Sequence, residues 1–161
     1  MIADYHEPVI LIAEDNNYDV FMFCRLFRNL GANVPFHVVQ DGEEAISYLE
    51  GTGKYSNHNE YPLPNLFLLD LKMPPCDGFD VLRWVRRQSW LSGLRIVVLT
   101  SSENLYDVKE AYRLGATSYL VKPHLPGDLQ NHICALYEYW RVSKNTRISR
   151  ARRPIGSGRS G

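Results

Sequence analysis

The stretch "LFLLDLKMPP" (residues 66–75) drives four apolar residues into an aspartate, Asp70, and then into two prolines. Four consecutive apolar residues suit a short strand buried on both faces, and the prolines stiffen the loop behind it. A carboxylate at the end of such a strand is either incidental or the reason the strand is there. Its neighbours in the folded chain decide between these.

Working outward, four more apolar runs predict strands: "VILIAE" (9–14), "VPFHVVQ" (34–40), "LRIVVLT" (94–100) and "ATSYLVK" (116–122). Helical patterns alternate with them. The first helix follows Asn16 or Asn17 as cap, carries Val20, Phe21, Cys24, Phe27 and Leu30 as its apolar stripe, and ends at Gly31. The second starts at Asp41 or Gly42 and closes at Gly51. The third runs over 77–88, with Phe79, Leu82 and Val85 inward and Arg83, Arg86 and Arg87 outward. The fourth covers 103–115 and the fifth 126–141. The turn-rich segment 51–64, "GTGKYSNHNEYPLP", is expected as a surface loop. Its "GTGK" lacks the spacing of a phosphate-binding loop and follows no strand.

Strand–helix alternation of this kind predicts a doubly wound α/β fold, (βα)5, with a parallel five-stranded sheet in the flavodoxin-like order 2-1-3-4-5. Ligands of such sheets bind at the carboxyl ends of the strands. Those ends carry Glu14 and Asp15 after strand one, Asp70 after strand three, Thr100 after strand four and Lys122 after strand five. Singly, these read as a helix cap, a strand-end acid, a capping hydroxyl and a surface lysine. Together, three carboxylates at one rim repel unless a cation intervenes, and an oxygen-only donor set suits Mg²⁺. A metal-bound Asp70 carboxylate is an ionised nucleophile, and Lys122 and Thr100 face it with positive charge and a donor. The chemistry expected is transfer of a phosphoryl group onto Asp70.

Composition agrees with an intracellular domain. The 161 residues are 45% hydrophobic and 22% charged, and no apolar run nears the roughly 20 residues of a membrane span. The start "MIADYHEPVILIAEDN" shows no export signal, and the scattered Cys24, Cys76 and Cys134 fit a reducing cytoplasm. The zero net charge hides a division: residues 143–161 hold six basic side chains and no acid, so the rest carries the balancing negative charge. That tail is expected to be flexible, and nucleic-acid binding by it is not the favoured reading.

The phrases "AEDNN" (13–17), "LLDLKMPPCDGF" (68–79), "VVLTSS" (97–102) and "YLVKP" (119–123) resemble, in this order, the receiver domains of two-component response regulators. The resemblance implies a receiver domain over 1–142, with 143–161 as its tail. It makes Asp70 the acceptor of a phosphoryl group from a phosphohistidine on a sensor histidine kinase. It further implies Mg²⁺ held by Asp15 and Asp70, by the backbone carbonyl of Lys72, and by Glu14 through a water. Thr100 corresponds to the switch hydroxyl, Tyr119 to the aromatic whose rotamer follows it, and Lys122 to the phosphoryl contact, with a cis bond at Lys122–Pro123. The loop 51–64, "EDN" and "ISYLEG" are similar to the small stand-alone regulators of bacterial, especially cyanobacterial, phytochromes.

A nineteen-residue tail cannot bury a core. Output is therefore expected through an altered protein-binding surface rather than a catalytic activity. Tyr106, Tyr112, Tyr137, Tyr139 and Trp140 suggest a homodimer through the 103–141 face, although Leu129, Ile133, Leu136 and Trp140 also fit one inward stripe. A Mg²⁺-dependent phosphohydrolase would need an acid two residues past the nucleophile, where Lys72 stands. A flavin-binding domain would need a hydroxyl-rich loop in place of "EDNNYD". A receiver that binds partners without being phosphorylated does not need the complete acidic set.

Overall fold

The computed structural model describes residues 9–30 and 34–142; Gly31 and the tail 143–161 lie outside them. Five strands form one parallel sheet: β1 (Ile10–Ala13), β2 (Phe36–Val39), β3 (Leu66–Leu69), β4 (Arg95–Thr100) and β5 (Ser118–Val121), in the order β2-β1-β3-β4-β5. The helices α1 (Asn17–Asn29), α2 (Gly42–Glu50), α3 (Gly78–Arg86), α4 (Leu105–Arg113) and α5 (Pro126–Val142) alternate with them. The order expected from the sequence is the order found. Single 3₁₀ turns at Gly53–Tyr55 and Ser89–Leu91 add to it.

The period of two along each strand splits the core in two. Leu11, Ala13, Phe67, Leu69, Ile96 and Val98 point to the face covered by α2, α3 and α4. Ile10, Ile12, Leu66, Leu68, Val97 and Leu99 point to the face covered by α1 and α5, where they meet Phe23, Phe27, Ile133 and Tyr137. Each fully buried aliphatic side chain is worth about 1.5–3 kcal/mol, which is why the central strands read as unbroken apolar runs.

Helix starts are fixed by side-chain caps. Asn16, Asp41, Asp77 and Asn104 each accept a hydrogen bond from a backbone N–H of the following turn, at roughly 1 kcal/mol apiece. Gly51 closes α2 at φ 70°, a left-handed conformation that glycine adopts without penalty.

Three expectations change. The buried stripe of α1 is Phe23, Leu26 and Phe27, while Phe21 is exposed, so the helix is rotated relative to the stripe read from the sequence. Phe23 and Phe27 are one turn apart and face the β1 side chains. The segment 51–64 is only partly a surface loop. Tyr55 is buried, its ring lies 5.0 Å from those of Tyr48 and Tyr61, and His37 of β2 lies 5.4 Å from Tyr61. Tyrosines bury their rings provided the hydroxyls find partners. Tyr48 Oη donates to the Pro62 carbonyl at 2.9 Å and Tyr55 Oη to Glu44 at 2.6 Å. Lys54 of "GTGK" pairs with the same Glu44. Finally, the Lys122–Pro123 bond is trans; the cis bond among the described residues is Pro74–Pro75. Trans is the lower-energy isomer of an X–Pro bond.

Gly78 positions the loop after Asp70. Its N–H donates to the Leu71 carbonyl at 2.9 Å, and a Cβ there would meet the Asp70 carbonyl oxygen and come within 2.8 Å of Leu71 Cα. Both are backbone atoms that cannot rotate aside. Gly78→Ala is expected to cost about 1–3 kcal/mol despite alanine's better helix propensity. Urea unfolding should show this as a lowered midpoint at unchanged slope.

His37 gives a pH dependence. Burial holds its pKa below the usual 6.5, against a smaller upward pull from Glu60. The unfolded chain therefore takes up this proton more readily, and the histidine's contribution to stability is lost as pH falls from 6.5 toward the lower folded value. Urea midpoints of wild type and His37→Phe, compared between pH 7.5 and 5.5, should show the larger acid-side loss in the wild type.

Candidate functional site

Parallel registers bring the strand ends level. Ala13 pairs with Leu69, Leu69 with Val98, and Thr100 with Val121, so the next residues emerge side by side at one rim. Backbone bonds carry the alignment past the strands: the Asp70 N–H donates to the Ala13 carbonyl at 3.1 Å and the Lys122 N–H to the Thr100 carbonyl at 2.7 Å.

The Lys122 ammonium is the centre of this rim. It donates to Glu14 Oε2 at 2.7 Å, Asp19 Oδ2 at 2.8 Å and Asp70 Oδ2 at 3.2 Å. An ammonium has three donors, and these three carboxylates use them all. Burial alone would lower the lysine pKa; its hydrogen bonds to Asp19 and Glu14 and the charges of Asp70 and Glu14 outweigh that and raise it. Glu14 is 2% exposed. Burial, reinforced by the nearby Asp70 charge, pushes its carboxyl up to about 7 against the pull of Lys122. Glu14 Oε1 also accepts from the Asn16 N–H at 3.1 Å, tying the acid to the cap of α1.

One carboxylate oxygen each from Glu14, Asp15 and Asp70 lies within 4.8 Å of the others. Asp15 is exposed, and the other two are buried. This donor set is all oxygen and acidic, and it leaves positions open to water. It fits a hard divalent cation rather than zinc or copper, which favour nitrogen and sulfur.

The other residues singled out from the sequence surround this centre. Asp70 Oδ1 accepts from the Lys72 N–H at 3.2 Å, and Lys72 itself stands exposed in the loop toward Pro74 and Pro75. Thr100 is fully buried, and its Oγ1 accepts from the Ser102 N–H at 3.4 Å. Tyr119 lies on β5 in register with Val98. Its hydroxyl donates to the Ser102 carbonyl at 2.9 Å, and burial raises its pKa. Ser102 Oγ in turn donates to Asp107 of α4. The Tyr119 N–H donates to Tyr112 Oη at 3.1 Å.

Asp19 was not among the sequence-derived residues. A signal existed: it stands in the first turn of α1, four residues after Asp15, and that turn opens at the rim. An acid in a first helical turn is so common that the spacing alone did not single it out.

Known proteins agree with this geometry. The response regulator receiver domain family matches residues 10–134. The chain is 36% identical over 143 residues to the probable methanogenesis regulatory protein FilR2 of Methanothrix harundinacea, covering 86% of this chain and 88% of that one. It is 33% identical over 141 residues to response regulator Rcp1 of Synechocystis sp., covering 86% and 94%. The Mn²⁺-bound structure of Rcp1 superposes with a TM-score of 0.77 at 32% identity, covering 84% of this chain and 96% of that one. The phosphorylated cyanobacterial phytochrome response regulator RcpA superposes with 0.78 at 31%, covering 88% and 98%. With the sheet order, the acidic rim and the matched span in agreement, the chain belongs to the receiver-domain family of two-component response regulators, close to the phytochrome response regulators Rcp1 and RcpA.

Proposed function

We propose that Asp70 accepts a phosphoryl group from a phosphohistidine of a sensor histidine kinase, a phytochrome-like one in view of the relatives. The observation that carries this reading is the Lys122 ammonium held between Glu14 and Asp70. It keeps positive charge within 3.2 Å of the Asp70 carboxylate. An Asp70 oxygen attacks phosphorus, the P–O bond forms as the P–N bond breaks, and the imidazole leaves with the electron pair and takes a proton. Lys122 stabilises the equatorial oxygens, and the Thr100 hydroxyl donates to one of them. Asp15, Asp70, the Lys72 carbonyl and, through water, Glu14 would hold Mg²⁺, which would supply neutralisation of charge on the phosphoryl oxygens. The same groups assist hydrolysis of the acyl phosphate, so the protein promotes its own phosphorylation and dephosphorylation and acts on no other substrate.

The signal leaves by protein contact from a cytoplasmic receiver, residues 1–142. A Thr100 hydroxyl drawn to the phosphoryl group releases the Ser102 N–H, and Tyr119 follows through its bond to the Ser102 carbonyl. The face so altered exposes Leu105, Tyr106, Tyr112 and Tyr139, which suits a homodimer through 103–141 and an unidentified downstream protein. Tyr137 is buried and belongs to the core instead. The side chain of Trp140 lies outside the described residues, and nucleic acid is not an expected partner.

Incubation with a small phosphodonor and Mg²⁺ should give a labile single phosphoryl adduct by intact mass. Asp70→Asn or chelation should abolish it; an adduct persisting on the variant would refute Asp70 as acceptor. In sedimentation over a range of concentrations, the phosphorylated protein should associate. Tyr106→Ala with Tyr112→Ala should weaken that association at least about tenfold, equivalent to about 1.4 kcal/mol. A monomer at high concentration would refute the dimer.

A further inference from the structure

We propose that Asp19 is a positioning residue that anchors the Lys122 ammonium, so that Glu14 and Asp70 stay available to a divalent cation; this rests on the cation-assisted reading of the rim. Of the three carboxylates that hold Lys122, two also belong to the group of oxygens that suits a cation, and Asp19 does not. An ammonium and a divalent cation compete for the lone pairs of Glu14 and Asp70. Asp19 alone has no second claim on it from that group. It takes one of the two short bonds, at 2.8 Å, against 3.2 Å to Asp70. The lysine thus has a resting place that survives cation binding.

The position is built into α1. Asn16 Oδ1 accepts from both the Tyr18 and Asp19 N–H groups, at 3.0 and 3.1 Å, which fixes the first turn and with it the direction of Asp19. The Asp19 carboxylate is about a fifth exposed and the Lys122 side chain less, so the pair is shielded without being sealed. Without Asp19, the ammonium has only Glu14 and Asp70 as partners and bears on both more heavily.

The test is a double-mutant cycle read by Mn²⁺ titration, with free Mn²⁺ detected by its electron spin resonance. Asp19→Asn should weaken Mn²⁺ binding by about five- to tenfold in the wild-type background. It should change binding by no more than about twofold when Lys122 is also replaced by methionine. Asp19→Glu, which keeps the charge, should restore most of the affinity. An equal loss in both backgrounds would make Asp19 a mere source of field, and no loss in either would leave it a first-turn acid; each overturns the proposal. So would an Asp19→Glu variant as weak as Asp19→Asn, or a wild type without saturable Mn²⁺ binding. Thermal melts of each variant guard against loss of fold. No phosphodonor is present, so the titration stays interpretable even if Asp70 takes up no phosphoryl group.

Discussion

The bond network of the Lys122 ammonium is the constraint on which the rim depends. Carboxylates within 4.8 Å of one another repel by about 3 kcal/mol per pair at an effective dielectric constant near 20. A rim that carries Glu14, Asp15, Asp19 and Asp70 would spread or take up protons without a counter-charge. Burial raises the pKa of Glu14, and the Asp70 charge adds to this rise, against the pull of Lys122. One ammonium among four carboxylates leaves a negative excess, and that excess suits a cation of higher charge. Stability and chemistry here draw on the same imbalance.

The sheet makes this crowding tolerable. Its central strands are buried on both faces, and their register fixes where each chain end emerges, so the acids cannot retreat from one another by sliding. Gly78 lets α3 settle directly on the Asp70–Leu71 backbone, which pins the loop from behind. The caps at Asn16 and Asn104 bring α1 and α4 to the rim at set angles. The cost of holding like charges together is met by packing elsewhere in the domain.

Much of this was legible from the residues. Continuous apolar runs mark doubly buried strands, and the polar residue that ends each run marks the rim, so the sequence alone brings Glu14, Asp15, Asp70, Thr100 and Lys122 to one edge of the sheet. What stayed hidden depends on rotation and on burial at a distance. The phase of α1 is blurred by its many apolar residues: a stripe through Phe21 fits the sequence, whereas Phe23, Leu26 and Phe27 are the buried side chains and Phe21 is exposed. Asp19 was overlooked for the related reason that its partner lies 103 residues away. The loop after α2 is polar in composition, yet Tyr55 packs as core, because Glu44 accepts from its hydroxyl and its ring lies against Tyr48 of α2, whose own hydroxyl donates to the Pro62 carbonyl. Local composition carries no record of such distant partners.

Asn16 has a dynamic consequence. Its N–H is held by Glu14, and its side chain holds the first two amides of α1 beyond Asn17. Fraying of the helix start and loosening of the acidic rim are therefore linked through Asn16. Amide hydrogen exchange at Tyr18 and Asp19 becomes a clock for the rim: it slows when the rim is tied down and quickens when it is released, without any label placed on the rim itself.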